Sequence, residues 1–152
     1  MGWCVVMPSD QVYGKTLSKW INTMPLTAVA LTSLPNNEMT QRIESLFEVS
    51  PEFSSGHAAI SYFKSALAKG DKLYVGLFND KPVCAVCVRG QGTTKTLQYI
   101  VVHLANRGRG LAHELIKQTC LLEESYGVEN FIPGCGAIHR ALSSLGRLNE
   151  QA

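Results

Sequence analysis

The sequence predicts an α/β fold with a single central mixed sheet flanked by helices. Its 152 residues are the size of one domain, and with 45% hydrophobic and 17% charged residues the chain can build a core. Strand and helix patterns follow one another in the order β-α-α-β-β-β-α-β-α. A net charge of only +2 argues against a nucleic-acid or membrane-surface partner, and no segment has the roughly 20 apolar residues of a transmembrane helix.

The first 23 residues show neither helical nor strand periodicity. We therefore expect a peripheral N-terminal extension over 1–23, a candidate for disorder, and a folded domain over 24–152. The extension has no basic residue before its short apolar run, unlike a secretory signal. Five cysteines are an odd number in a chain large enough to fold without disulfides, which predicts reduced thiols in a cytoplasmic protein.

The first half of the domain is predicted to contain one strand, two helices and a β-hairpin. β-Prone residues predict a strand over 26–32, and apolar residues at helical spacing predict a helix that ends before Pro51. A second apolar stripe predicts a helix that ends at Gly70. The runs 72–78 and 82–89 are joined by turn residues and predict the hairpin.

The second half is predicted to alternate strands and helices. The run 94–103 is the longest β-prone stretch of the chain. Apolar residues at helical spacing predict a long helix over 111–124. A short strand is expected over 128–132, and a last helix over 136–145 is expected to end at Gly146.

The turn between the longest strand and the long helix has the composition of a phosphate-binding loop. Gly108 and Gly110 have no Cβ, so the backbone can turn tightly and approach an anion. The first amides of a helix have no partners inside it, and the helix dipole places partial positive charge there. Arg107 and Arg109 add two positive charges. The alternative is a plain strand-to-helix connection with its arginines in water.

The spacing Arg107-x-x-Gly110-x-Ala112 resembles the Arg/Gln-x-x-Gly-x-Gly/Ala signature of the GCN5-related N-acetyltransferase (GNAT) superfamily. The resemblance extends over residues 26–146 and includes the order of elements. It implies the GNAT fold and binding of acetyl-CoA or coenzyme A, with the pyrophosphate on the loop and the pantetheine arm along the fourth strand. That strand is implied to splay from the next one. The implied cofactor-binding residues are Ile100, Val101, Val102, Leu104, Arg107, Gly108, Arg109, Gly110, Leu111 and Ala112.

Acetyl transfer to an amine needs a base and an acid, and the groups that the family commonly uses are missing. The tyrosine of the last helix in many members aligns with Leu142, which cannot donate a proton. Gly134 and Gln98 stand where an asparagine and a carboxylate are common. The remaining catalytic candidates are Tyr99, His103 and His139. Because a lone histidine is usually a surface or packing residue, the catalytic residues stay unknown and an enzymatic role stays open.

Within the superfamily, the chain resembles the PanZ family, also called PanM, most. The resemblance lies in residues 72–81, in the spacing from there to the Arg107 motif, and in residues 48–53. That family binds acetyl-CoA, helps to mature the aspartate 1-decarboxylase of pantothenate biosynthesis, and also lacks the helix tyrosine. Ala105 and Asn106 make this chain's loop less basic than is usual there. The resemblance implies an acetyl-CoA sensor that regulates maturation of the decarboxylase proenzyme. The alternative is an active N-acetyltransferase acting on a small-molecule or protein amine.

Other features have simpler explanations. Cys84-x-x-Cys87 resembles half of a redox or zinc site, but residues three apart on a strand face opposite sides and no second ligand pair follows, so we expect no metal. Cys135 is interpreted as a turn residue rather than a reactive thiol. Arg140 and Arg147 are interpreted as solvated charges, with coenzyme phosphates as the alternative partner. A rival class, the mononucleotide-binding α/β module, is disfavoured because two helices precede the central hairpin.

Overall fold

The computed structural model describes residues 26–148, so the expected extension over 1–23 lies outside the described residues. The elements follow the predicted order, apart from one additional short 3-10 turn. They are β1 (Thr27–Leu31), α1 (Asn37–Glu48), α2 (Gly56–Ala68), β2 (Lys72–Phe78), β3 (Lys81–Arg89), β4 (Thr94–Val102), the 3-10 turn (Leu104–Asn106), α3 (Leu111–Ser125), β5 (Asn130–Pro133) and α4 (Gly136–Ser144). Within 26–148, no helix has both the length and the apolar character needed to cross a membrane.

The strands form one mixed sheet in the order β1-β2-β3-β4-β5. Every neighbouring pair is antiparallel except β4 and β5, which are parallel. The parallel pairing begins with Thr94 opposite Asn130 and ends with Leu97 opposite Pro133. Since β4 continues to Val102, residues 98–102 have no partner on this side among the described strands. The sheet therefore opens between the carboxyl-terminal half of β4 and the end of β5.

Two hydrophobic clusters pack on opposite faces of the sheet, one under α1 and α2 and the other under α3 and α4. Cys84 belongs to the α3/α4 cluster and Cys87 to the α1/α2 cluster, so the two thiols face opposite sides as their spacing predicts. Burial raises the pKa of both thiols to about 12. They are protonated near neutral pH and are packing residues, because the reactive form of cysteine is the thiolate.

Side-chain caps fix where the first two helices begin. Asn36 accepts a hydrogen bond from the Met39 N–H at 2.8 Å, and Ser55 accepts one from the Ala58 N–H at 3.1 Å. Such caps satisfy amide groups that the helix itself leaves unpaired. The loop between these helices places Ser50 and Pro51 beside the unpaired end of β4.

Candidate functional site

A cavity of about 540 Å³ lies beside the unpaired half of β4. Its walls come from five places: β4, the loop before α3, the first turn of α3, the first half of α4, and the loop between α1 and α2. The lining residues are Ser50, Pro51, Ile100, Val101, Val102, Asn106, Arg107, Gly108, Gly110, Leu111, Ala112, Ala137 and Arg140. A volume of this size is in the range of small-molecule sites, roughly 300–1,000 Å³.

Eight of the ten residues that the sequence singles out for cofactor binding line this cavity. The other two lie outside its lining: Leu104 is 59% exposed on the 3-10 turn, and Arg109 is exposed in the loop. The sequence missed the contributions of Ser50 and Pro51 and of Ala137. No spacing pattern could reveal them, because tertiary packing alone brings the α1–α2 loop and α4 to the end of β4.

A bulge in β4 shapes the wall of the cavity. Ala85 pairs with Val101 and Cys87 pairs with Gln98, so one residue of β3 opposes two residues of β4, Tyr99 and Ile100. Tyr99 takes a φ of +59°, a left-handed conformation that is rare for a side chain of this size. Tyr99 packs on the α1/α2 face, whereas Ile100 packs on the opposite face.

None of the three catalytic candidates lines the cavity. Tyr99 belongs to an aromatic cluster, with its ring centroid 5.0 Å from that of Phe53 and 5.2 Å from that of Tyr62. Burial, together with a hydrogen bond to Tyr99, raises the pKa of Tyr62 to about 12. His103 accepts a hydrogen bond from the Ala105 N–H at 3.1 Å through Nδ1, and His139 is exposed on α4.

The loop that enters α3 brings the start of this helix to the cavity. Gly108 and Gly110 have φ values of +82° and +75°, a backbone conformation that glycine adopts without strain. Gly110 is the N-cap of α3 and provides no side chain to pair with the first amides of the helix. Leu111 and Ala112, which carry two of these amides, both line the cavity. A helix N-terminus of this kind favours an anion.

The charge in the cavity is positive. Arg107 and Arg140 are the only charged residues in the described lining, and no aspartate, glutamate, histidine, tyrosine or cysteine belongs to it. The Nε of Arg107 donates a hydrogen bond to the carbonyl of Val102 at 3.1 Å, which fixes the loop against β4. Arg147, by contrast, pairs with Glu124, with Nε to Oε2 at 2.7 Å. The described lining thus contains no group that exchanges a proton near neutral pH.

Leu142, which aligns with the helix tyrosine of many family members, lies in the hydrophobic core. Leu142 is completely buried in the α3/α4 cluster. Gly146 ends the segment with a φ of +72°, and the following Arg147 N–H donates to the Leu142 carbonyl at 2.9 Å. A hydrophobic residue at this place stabilises α4 and cannot protonate a leaving thiolate.

At the end of β5, the backbone of Gly134 lies too close to β4 to admit a Cβ. The Gly134 N–H donates to the Leu97 carbonyl at 2.8 Å, and an added Cβ would lie 2.3 Å from Gln98 Cγ and 2.6 Å from the Leu97 oxygen. We expect Gly134→Ala to lower the free energy of unfolding by about 1–3 kcal/mol, because backbone must move to admit the methyl group. Urea denaturation of the variant measures this loss.

The matched control is Gly136→Ala, two residues further along the chain. Its added Cβ would come no closer than 3.4 Å to a neighbouring atom, Nη1 of Arg140, which is an ordinary contact. We expect this variant to change the free energy of unfolding by less than about 0.5 kcal/mol. Equal losses in the two variants would contradict the close approach at Gly134.

Solved structures share this fold. A ribosomal-protein-alanine N-acetyltransferase from Brucella melitensis biovar Abortus has 14% identity and a TM-score of 0.60, over 84% of this chain and 89% of that chain. An acetyltransferase from Trypanosoma brucei has 18% identity and a TM-score of 0.60, over 84% and 96%. A GNAT family acetyltransferase from Elizabethkingia anophelis with acetyl-CoA bound has 15% identity and a TM-score of 0.55, over 80% and 72%. These likenesses establish a GNAT fold.

A family model gives a more specific result. The model described as an acetyltransferase (GNAT) domain, PanZ, matches residues 26–130, which is more than half of the chain. The matched range includes the sheet from β1 to β4, the loop and α3. None of the curated proteins compared with the chain matches it.

Proposed function

Because the chain belongs to the PanZ family of GNAT acetyltransferase domains, we propose that it binds acetyl-CoA and reports the level of this cofactor to a partner protein. The observation that carries the proposal is the cavity beside β4. It joins a helix N-terminus suited to an anion to two arginines, and its described lining contains no carboxylate, histidine, tyrosine or cysteine to exchange a proton in acetyl transfer.

The parts of the cavity suit the parts of coenzyme A. The amides of the loop and of the first turn of α3, together with Arg107, would hold the pyrophosphate. The unpaired backbone of β4 over 98–102 offers N–H and C=O groups to the amides of the pantetheine arm. Arg140 stands on the α4 wall as a second cation for the phosphates. Leu104 and Arg109 would contact the cofactor from the outer edge of the loop.

The absence of a proton-exchanging side chain from the described lining favours a sensor over an enzyme. An amine nucleophile must lose a proton and the thiolate must be stabilised or protonated. Tyr99 is engaged with Tyr62, and Nδ1 of His103 is engaged with the Ala105 N–H. The second candidate function, N-acetyl transfer to a small-molecule or protein amine, is supported by the fold alone.

The partner that the family suggests is the aspartate 1-decarboxylase proenzyme of pantothenate biosynthesis. The segment 72–81, through which the chain resembles PanZ, comprises β2 and the turn into β3, whose residues Asn79 and Asp80 have φ values of +54° and +64°. An interaction with this proenzyme would place the protein in the cytoplasm. Binding to the proenzyme should then depend on acetyl-CoA.

Three measurements on the full chain test the proposed function. Isothermal titration measures binding of acetyl-CoA and free coenzyme A, a thiol-release assay tests a panel of amines, and a binding assay uses the decarboxylase proenzyme with and without acetyl-CoA. We expect cofactor binding, no thiol release, and acetyl-CoA-dependent proenzyme binding. Turnover that disappears in Tyr99→Phe or His103→Ala would instead establish an acetyltransferase. Failure to bind either cofactor would refute both functions.

The two loop arginines are expected to differ in their effect on affinity. Arg107→Ala removes a cation that lines the cavity and should weaken acetyl-CoA binding about tenfold, the value of one charge-assisted contact. Arg109→Ala removes an exposed cation outside the lining and should weaken it no more than about threefold. Isothermal titration of both variants at one salt concentration measures the difference. Equal losses would show that only the net charge of the loop matters.

A further inference from the structure

A second cavity, of about 350 Å³, borders the 3-10 turn and shares Asn106 with the first cavity. We call it the basic groove. α1, the start of β3 and the turn each contribute to it, and its lining includes Arg42, Leu46, Lys81, Pro82, His103 and Asn106. Of the catalytic candidates only His103 lines this groove, and the cofactor proposal uses none of its residues except the shared Asn106.

The polar side chains of the groove suit a negatively charged group. Arg42 and Lys81 bring two positive charges from two different elements, and no described residue in the lining is acidic. His103 accepts the Ala105 N–H through Nδ1, so in its neutral form the ring carries its proton on Nε2 as a further donor. Arg42 also pairs with Glu38 at 3.2 Å, but both side chains are solvent-exposed and such surface pairs are readily exchanged.

The groove also has an apolar floor. Its apolar lining residues, Leu46, Pro82 and Val83, are all buried. Leu104, on the same 3-10 turn, is among the most exposed large hydrophobic side chains of residues 26–148. The exposed side chain of Leu104, outside the lining but on the adjoining turn, puts apolar surface near the two cations. This combination suits a polypeptide that carries both carboxylates and apolar side chains, and it suits a small inorganic anion less well.

We propose that the basic groove binds an acidic segment of the partner protein that reads the cofactor, with glutamate or aspartate carboxylates on Arg42 and Lys81. This rests on the proposed function. The turn connects the two cavities physically: the Asn106 N–H donates to the His103 carbonyl at 2.9 Å, and Arg107 Nε donates to Val102. A partner in the groove therefore contacts the same hydrogen-bonded turn that faces the cofactor.

The test uses a short fluorescein-labelled peptide of glutamate and leucine, with a glutamine and leucine peptide of the same length for comparison. Fluorescence anisotropy measures binding to the full chain at constant ionic strength. We expect the glutamate peptide to bind and the double variant Arg42→Ala/Lys81→Ala to weaken it at least about tenfold, through loss of charge-assisted contacts. The matched control, Lys64→Ala/Lys69→Ala, removes two exposed charges outside the groove and should leave binding unchanged.

Three results would overturn the proposal. The first is that the glutamine peptide binds as well as the glutamate peptide. The second is that the control variant loses as much affinity as the groove variant. The third is that inorganic phosphate binds at the same residues while the peptide does not, which would make the groove a small-anion site.

Isothermal titration with acetyl-CoA on the same variants separates the two proposals. Unchanged acetyl-CoA affinity in the groove variant confines the defect to the groove, and a wild-type chain that binds no acetyl-CoA defeats the proposed function without altering the peptide result.

Discussion

Replacing Gly110 by valine is expected to weaken acetyl-CoA binding by about 100-fold or more while the chain stays folded. Gly110 has a φ of +75°, and a β-branched residue does not tolerate that conformation. The loop can relieve the strain only by turning its backbone, which moves the first amides of α3 away from the phosphates. Loss of two charge-assisted hydrogen bonds of about 1.5–3 kcal/mol each gives the expected factor. Isothermal titration measures the affinity, and circular dichroism checks the fold.

Gly92→Val is the matched control for backbone strain. Gly92 lies in the turn between β3 and β4, has a φ of +79°, and like Gly110 has no neighbouring atom within 4 Å of an added Cβ. The two variants therefore introduce the same side chain at nearly the same positive φ, one inside the cavity lining and one outside it. We expect Gly92→Val to lose stability but to keep its affinity for acetyl-CoA. A similar loss of affinity in both variants would show a global effect and would contradict a role for the loop amides.

The order of the elements could be predicted because each one carries a local signal. Apolar residues at helical spacing mark α3 between Leu111 and Ser125, and the β-prone run from Thr94 marks β4. Element ends were less accurate. β5 begins at Asn130 rather than at residue 128, because the N–H groups of Glu129 and Asn130 first donate to the Thr93 carbonyl. That contact is long-range in sequence, and no local pattern reports it.

The lining of the cavity could be predicted where its residues are neighbours in the sequence and was missed where packing creates it. Gly108, Gly110 and Arg107 stand together in the sequence and line the cavity, whereas Arg109 between them does not. The bulge at Tyr99 could not, because a tyrosine within a β-prone run gives no sign of a positive φ. For Arg140 the sequence left two interpretations open, a solvated charge or a partner of coenzyme phosphates, and the structure places this residue in the cavity wall. The basic groove also escaped, since Arg42, Lys81 and His103 are far apart in the chain.

The largest expected loss of stability comes from replacing Glu123, which lies in the last turn of α3 at the end away from the loop. Its side chain is only 1% exposed, and its Oε2 accepts hydrogen bonds from the Tyr74 hydroxyl and from Lys72 Nζ, the latter at 3.0 Å. Burial and the hydrogen bond to Glu123 raise the pKa of Tyr74, so its hydroxyl remains a donor. We expect Glu123→Ala to lower the free energy of unfolding by about 3–5 kcal/mol, because it leaves the Lys72 charge and a buried hydroxyl without their partner.

Glu124→Ala provides the comparison for this loss at the adjacent residue. Glu124 also forms an ion pair, with two hydrogen bonds to Arg147 at 2.7 and 3.1 Å, but this pair lies at the surface. Water screens the two charges and solvates each of them when the other is removed, so we expect a loss of no more than about 1 kcal/mol. Urea denaturation of both variants measures the contrast. Comparable losses would mean that burial does not decide the strength of these pairs, and the structural role assigned to Glu123 would be wrong.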